Sequence, residues 1–193
     1  KMPKAAEVQY VANLSKVLNV PLHEVEQYLT LKPFCDPARG IYLLDVAQIL
    51  KLLPQPPARL LDLGCGSGWN SEVFARSGYT VLGLDIAPDM IEIARRRLSD
   101  ALQLSFEVSD YEAPIDVGEF DAVVIYDALH HAEDDRGVIV NAFRTLRIGG
   151  VFITIEPGTG HSATDATRDV VAKYGTTERD MPFSRQGAFM REA

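Results

Sequence analysis

The sequence has few cysteines, a shortage of basic residues and no long apolar run. Its two cysteines, Cys35 and Cys65, have neither the density of a secreted disulfide scaffold nor the spacing of a metal site. Nineteen Lys and Arg against 27 Asp and Glu give a formal net charge of −8, which disfavours binding to a phosphate backbone. The sequence contains no run of about 18 apolar residues, which is the length that would predict a membrane span. We therefore expect a cytoplasmic protein with reduced thiols that binds neither nucleic acid nor a membrane.

One short basic run, Arg95-Arg96-Arg97, stands out against this acidic background. It falls late in a predicted helix, where positive charges complement the negative end of the helix dipole. We interpret it as a solvated helix end, because a nucleic-acid site needs a wider cluster of Lys and Arg.

Residues 60–85, LLDLGCGSGWNSEVFARSGYTVLGLD, carry the strongest pattern in the chain. A short apolar run at residues 59–63 is typical of a buried parallel strand. Three glycines at alternate positions follow, and then a segment with helical spacing. A second apolar run at residues 80–84 ends in the carboxylate of Asp85. The pattern predicts a β-α-β unit with a glycine-rich first turn.

This arrangement predicts a nucleoside site. Glycines let the backbone turn sharply and let a ligand approach the main chain without a Cβ in the way. The carboxylate of Asp85 would then lie beside the loop, placed to accept hydrogen bonds from a ribose diol. A dinucleotide fingerprint needs a glycine where this chain has Trp69, so a bound pyrophosphate is disfavoured. A phosphate-binding loop of the G-x-x-x-x-G-K-[ST] type does not occur in the sequence.

The run Asp62-x-Gly64-x-Gly66-x-Gly68 followed by Asp85 resembles motif I and its acidic partner in the class I S-adenosylmethionine-dependent methyltransferases. The resemblance covers residues 60–157. It implies an α/β fold, with a Rossmann-like, doubly wound and mostly parallel sheet. It also implies S-adenosylmethionine as cofactor and S-adenosylhomocysteine as product.

The resemblance also implies which residues bind the cofactor. In the family, the residue after the acid packs on adenine, and an acidic residue after the third strand contacts the adenine amino group. These positions correspond to Ile86 and Asp110. The full predicted set is Asp62, Gly64, Cys65, Gly66, Gly68, Asp85, Ile86, Met90, Asp110, Tyr111 and Tyr126.

The same resemblance implies a domain organisation. Residues 1–56 contain three predicted helices, at 7–18, 21–29 and 41–53, and would form an N-terminal cap or lid. Residues 57–193 would form the Rossmann-like core. They supply about five strands, whereas the family usually has seven, so we expect the C-terminal strands to be missing. The chain would then be a piece of a longer protein, or a partner such as a second copy would complete the sheet edge.

Candidate catalytic residues lie in the loops after the fourth and fifth predicted strands. A base there would take the proton from a substrate hydroxyl, and His131 is the first choice, followed by His130, with Glu156 and His161 less favoured. Either histidine could instead be structural. A metal site built from these four residues is conceivable, but adjacent histidines do not have i, i+4 ligand spacing, so we expect no metal.

These observations predict an enzyme that transfers a methyl group from S-adenosylmethionine to a small molecule, at a hydroxyl oxygen, by in-line displacement. Two alternatives stay open. The chain could be a non-catalytic nucleoside-binding subunit of a larger assembly, or an NAD-dependent oxidoreductase, which Trp69 disfavours.

Overall fold

A computed structural model describes residues 3–193 and contains one parallel sheet of five strands. The strands are β1 (Arg59–Leu63), β2 (Thr80–Asp85), β3 (Leu104–Val108), β4 (Phe120–Tyr126) and β5 (Leu146–Ile155). Their order in the sheet is β3-β2-β1-β4-β5. The direction of winding reverses between β1 and β4, which is where open α/β sheets bind ligands. The predicted doubly wound α/β fold is confirmed.

The central strands are buried on both faces. Leu60 and Leu61 point to opposite sides of β1, and each is fully buried, in two different apolar clusters. Val123 and Val124 repeat this arrangement on β4. Helices on both sides of a parallel sheet require such continuous apolar strands.

Five helices follow the strands of the core. They are α5 (Trp69–Arg76), α6 (Pro88–Arg95), α7 (Asp135–Thr145), α8 (Asp165–Tyr174) and α9 (Phe183–Glu192). The side chain of Asp134 accepts the N–H of Gly137 and caps α7. Within residues 3–193, no strand follows β5, in agreement with the predicted number of about five.

The fifth strand is irregular at its start. The glycine pair in Arg147-Ile148-Gly149-Gly150 is typical of a turn, yet these residues belong to the strand. Leu146 already pairs with Phe120, and regular pairing resumes at Val151 with Ala122. The four intervening residues form a bulge within β5, where Gly149 has a φ of 82°.

The N-terminal region has four helices: α1 (Pro3–Val8), α2 (Tyr10–Leu18), α3 (Leu22–Leu31) and α4 (Arg39–Leu52). The prediction of one helix over residues 7–18 is wrong, because the backbone of Gln9 leaves the helical conformation, with φ −111° and ψ 28°. Val11 and Leu29 pack with Ile93 of α6. The N-terminal helices therefore share an apolar cluster with the core.

None of the helices in residues 3–193 combines the length and apolar character that a bilayer crossing requires.

Candidate functional site

The turn between β1 and α5 is shaped by its three glycines, all with positive φ. A Cβ on Gly68 would lie 2.5 Å from Cζ of Phe106, and one on Gly64 would lie 2.4 Å from Cβ of Ala128. A Cβ on Gly66 would meet nothing closer than Cε of Met90 at 3.6 Å. The absence of a side chain at Gly64 and Gly68 therefore allows Ala128 and Phe106 to pack against the loop, whereas a Cβ on Gly66 would make only an ordinary contact.

Asp85 holds this loop in place. One carboxylate oxygen accepts the N–H of Gly66 at 2.8 Å, and the other accepts the N–H of Ala87 at 2.9 Å. Burial raises the pKa of Asp85, although both hydrogen bonds oppose that shift. Each carboxylate oxygen can accept a second hydrogen bond, so the residue can still take the ribose diol that the sequence motif predicts.

Asp62 lies beneath the loop. Its side chain is fully buried, accepts a hydrogen bond from the Asn70 amide at 3.3 Å and accepts another from the Ser71 hydroxyl. Burial raises the pKa of Asp62 to about 7. The predicted ligand Cys65 is also buried, against Ile91 and Phe106. Asp62 therefore joins β1 to α5. It would affect a bound cofactor only indirectly, by holding the glycine loop in position.

A cleft of about 120 Å³ opens beside the glycine loop. Residues 64–67 form one wall, together with Met90 and Tyr126 from the predicted set. Lys32, directly after α3, and Tyr42 of α4 also line the cleft, and neither was predicted from the sequence. The other lining residues are Leu29, Trp69, Asn70 and Asp127.

Aromatic rings cover the end of this cleft. The Trp69 ring lies 5.7 Å from that of Tyr42 and 5.8 Å from that of Tyr126, measured between ring centroids. The Tyr126 hydroxyl donates to Asp45 of α4 at 3.0 Å. The ring of Tyr126, at the end of β4, is thereby fixed against the N-terminal helices.

The predicted adenine residues meet at a second, smaller cavity of about 20 Å³. Its lining consists of Ile86, Asp110 and Tyr111, of Lys4 and Glu7 from α1, and of Glu112 and His131. Asp110 forms an ion pair with Lys4 at 2.7 Å. The carboxylate that was predicted to meet the adenine amino group is thus paired with α1 in this structure.

Arg97 corrects the interpretation of the basic run as a solvated helix end. Its side chain is only 8% exposed. The guanidinium donates to the carbonyl of Ser67 at 2.7 Å, pairs with Glu72 at 2.9 Å and donates to three carbonyls at the end of α3. These carbonyls belong to Leu29, Thr30 and Lys32. Arg97 fits here because its planar group offers five donors to carbonyls that a helix end leaves unpaired.

The predicted catalytic histidines lie together at the carboxyl ends of β4 and β5. His130 is buried, and its Nδ1 lies 2.7 Å from Oε2 of Glu156. The Glu156 carboxylate also accepts the backbone N–H groups of Ala128, Leu129 and His130. Burial lowers the pKa of His130, but the pairing with Glu156 outweighs it, so the pKa lies above its usual value.

His131 is half-buried and lies with its ring 4.0 Å from that of His130. Its Nδ1 is 2.8 Å from the carbonyl of Thr177, which can only accept, so this nitrogen carries the hydrogen and Nε2 has the lone pair. Burial and the neighbouring His130 lower the pKa of His131. It is the one of the two predicted histidines whose ring nitrogen is available to a substrate.

Glu178, in the segment between α8 and α9, completes the cluster. One of its oxygens lies 3.0 Å from Nε2 of His161 and 3.4 Å from Nε2 of His130. The other lies 3.7 Å from Nδ1 of His131. Glu178 was not predicted from the sequence, because no local motif connects it to histidines that lie 17 to 48 positions earlier. We call His130, His131, His161, Glu156 and Glu178 the histidine cluster.

Comparisons with known proteins agree with this geometry. Residues 61–154 match a family described as "Methyltransferase domain". A "Ubiquinone biosynthesis O-methyltransferase" of Xanthomonas oryzae is 38% identical over 96 residues, which are 48% of this chain and 40% of that protein. A "Demethylmenaquinone methyltransferase" of Tropheryma whipplei is 31% identical over 97 residues, which are 50% of this chain and 41% of that protein. The chain thus spans about two fifths of the length of these relatives.

The fold also matches a solved structure, an S-adenosylmethionine-dependent methyltransferase of Mesorhizobium loti. The TM-score is 0.67 at 21% identity, and the match covers 76% of this chain and 78% of that one. A doubly wound sheet with a glycine loop and an acid after β2 defines a nucleoside-binding α/β domain. Together with the family match over residues 61–154, it confirms the predicted resemblance to the class I S-adenosylmethionine-dependent methyltransferases.

Proposed function

We propose that the protein transfers the methyl group of S-adenosylmethionine to a hydroxyl oxygen of a small aromatic molecule. The observation that carries this proposal is the position of the histidine cluster. His130 and His131 follow β4, and Tyr126 and Asp127 of the same segment line the cleft beside the glycine loop. His131 itself lines the smaller cavity. A proton acceptor at this place suits a hydroxyl, which must lose its proton as the methyl group arrives.

The acceptor class is inferred from two further observations. Rings of Tyr42, Trp69 and Tyr126 border the cleft, and aromatic rings pack well against a planar acceptor. The names of the two relatives contain ubiquinone and demethylmenaquinone, and both of these molecules contain a quinone ring. We therefore favour an aromatic hydroxyl compound. We also keep the cytoplasm as the expected compartment, in keeping with the free thiols of Cys35 and Cys65.

In the proposed reaction, the acceptor oxygen forms a bond to the methyl carbon while the bond from that carbon to the sulfonium sulfur breaks. The products are the methyl ether and S-adenosylhomocysteine. The hydroxyl proton passes to Nε2 of His131, whose Nδ1 is held by the Thr177 carbonyl. The ring of His130 lies between the carboxylates of Glu156 and Glu178, so we assign it a positioning role.

We further propose that the N-terminal helices act as a lid. The two cavities measure about 120 and 20 Å³, whereas small-molecule sites usually span about 300–1,000 Å³. Lys4 of α1 already forms an ion pair with Asp110, at the place where we propose that adenine binds. A cofactor would therefore displace α1 and widen the cleft against α3 and α4.

Calorimetry with S-adenosylhomocysteine tests the proposal. Asp85→Ala should weaken binding by about 1.5–3 kcal/mol, the range for hydrogen bonds to a charged group, or roughly 10- to 150-fold. Glu107→Gln is the matched control, because Glu107 is an exposed carboxylate paired in register with Leu84 of β2. An unchanged dissociation constant in Asp85→Ala would contradict the proposed ribose site. Binding of NADH in place of S-adenosylhomocysteine would contradict the proposed cofactor.

A further inference from the structure

We propose that His130, His131 and Glu178 bind a divalent transition-metal ion of the Zn²⁺ type. Each of these side chains offers one ligand atom, and the three atoms lie within 4.8 Å of one another. They form the one such group of three or more His, Cys, Asp and Glu residues found among residues 3–193. Imidazole nitrogens and carboxylate oxygens are the donors that zinc takes in proteins.

The spacing of the donor atoms agrees with this assignment. Zn–N and Zn–O bonds of about 2.0–2.2 Å place neighbouring ligand atoms of a tetrahedral ion roughly 3.3–3.6 Å apart. Nε2 of His130 lies 3.4 Å from one oxygen of Glu178, and Nδ1 of His131 lies 3.7 Å from the other. To bind the ion, Nδ1 of His131 would release its hydrogen bond to the Thr177 carbonyl, and the hydrogen of the neutral ring would move to Nε2.

An independent observation concerns the other nitrogen of His130. Metal-binding histidines usually donate their second ring N–H to a carboxylate or carbonyl, which fixes the tautomer and aims the free lone pair at the ion. Glu156 is placed to do this, at 2.7 Å from Nδ1. Glu156 is itself fixed, because it is buried and accepts three backbone N–H groups. His130 is thus oriented with Nε2 toward Glu178.

The charges around the cluster favour a cation. The carboxylates of Glu156, Glu178 and Glu7 all approach the two adjacent histidines, with Glu7 3.5 Å from Nδ1 of His131. Three carboxylates in a mostly buried place repel one another. A divalent ion offsets that repulsion, and His161, 3.0 Å from Glu178, is available as a further ligand.

The role of the ion rests on the proposed function, whereas its binding does not. Beside a methyl acceptor, the ion would bind the hydroxyl oxygen and lower its pKa, which is how bound metals generate oxyanions at neutral pH. His131 would then serve as a ligand, the ion would replace it in activating the hydroxyl, and the hydroxyl proton would pass to solvent water.

The test uses the full chain, freed of metal with a chelator and then titrated with Co²⁺ and, in competition, with Zn²⁺. We expect one ion per chain at micromolar concentration, with visible absorption bands of Co²⁺ bound to nitrogen. His131→Ala and Glu178→Gln should weaken binding at least tenfold. Glu156→Gln should weaken it by about 10- to 100-fold, because outer-shell partners have effects of that size. The matched control is His23→Ala, which removes the one histidine outside the cluster, an exposed residue on α3.

Two results would overturn the metal site: no stoichiometric binding by the parent chain, or an equal loss of binding in His23→Ala. Thermal melting identifies any variant that does not fold, and the remaining variants still decide the question. Calorimetry of S-adenosylhomocysteine on the metal-free chain runs in parallel. Retained cofactor binding without metal binding refutes this inference alone, whereas metal binding without cofactor binding refutes only the proposed function.

Discussion

The glycine loop and the histidine cluster lie along the same edge of the sheet but are built in different ways. The loop is made of backbone: its shape depends on positive φ at Gly66 and Gly68 and on N–H groups held by Asp85. The histidine cluster is made of side chains, which Glu156 and Glu178 hold in place. A change at the loop should therefore disturb the fold as well as ligand binding, whereas a change in the cluster should act mainly on chemistry.

The largest effect is expected at Arg97, which joins the glycine loop to the N-terminal helices. Arg97→Met leaves Glu72 and the carbonyls of Ser67 and the α3 end without this partner. Removing one member of a buried ion pair costs about 3–5 kcal/mol of unfolding free energy, and we expect the lower end of this range because Glu72 keeps its pair with Arg76. Urea unfolding measures the loss. Arg96→Met is the control, because Arg96 forms an exposed pair with Glu26 and should lose less than about 1 kcal/mol. Equal losses in the two variants would contradict the role of Arg97.

The next effect separates two glycines of the loop. Gly68→Ala adds a Cβ at positive φ and against the Phe106 ring, which should cost about 1–2 kcal/mol for the conformation and about 1–3 kcal/mol for the overpacking. The Cβ of Gly66→Ala meets only Cε of Met90, at an ordinary contact distance, so we expect only the conformational cost, roughly 1–2 kcal/mol.

The ligand readout should reverse this order. The Cβ of Gly66→Ala would project into the space that a cofactor uses, so S-adenosylhomocysteine affinity should fall more per unit of lost stability than in Gly68→Ala. Calorimetry and thermal melting of both variants give the two quantities. A Gly66→Ala variant with full affinity would show that the cofactor does not approach this backbone.

A further effect is a pH dependence of stability at Asp62. Its pKa is about 7 in the folded chain, above the usual value of about 3.9 in an unfolded chain. Between these values the folded state binds the proton and the unfolded state does not. The contribution of Asp62 to stability is therefore present at low pH and is lost as the pH rises through about 7.

Asp62→Asn should remove this dependence. Urea unfolding at pH 5 and pH 8 should show a smaller loss of stability in Asp62→Asn than in the parent chain. Asp116→Asn, at an exposed carboxylate, should behave as the parent does. If Asp62→Asn and the parent lose the same amount, the carboxyl of Asp62 is already ionised in the folded chain below this range.

The contrast between loop and cluster also explains what the sequence could predict. Asp85 and the glycines lie within one β-α-β unit, so their spacing along the chain specifies their spacing in the fold. A motif gives positions and not directions, however, and Asp62 turns under the loop to Asn70 and Ser71 instead of facing the cleft. Lys32, Tyr42 and Arg97 gain their roles only when α3 and α4 pack on the core, which no local pattern records.

The histidine cluster was predicted in part for the same reason. Strand-end loops meet at one edge of a parallel sheet, so His130, His131, Glu156 and His161 could be expected together. Glu7 and Glu178 come from α1 and from the segment after α8, and their approach depends on long-range packing. The roles of all these residues in catalysis stay predictions.

The most direct test of the division between the glycine loop and the histidine cluster is the effect of His131→Ala on cofactor affinity. Calorimetry with S-adenosylhomocysteine measures this affinity for His131→Ala and for Asp85→Ala. We expect a dissociation constant within about twofold of the parent for His131→Ala, against at least a tenfold increase for Asp85→Ala. With an aromatic hydroxyl acceptor, kcat of His131→Ala should fall by about 100-fold. A His131→Ala variant that binds S-adenosylhomocysteine as weakly as Asp85→Ala, or that keeps the parent kcat, would contradict the division.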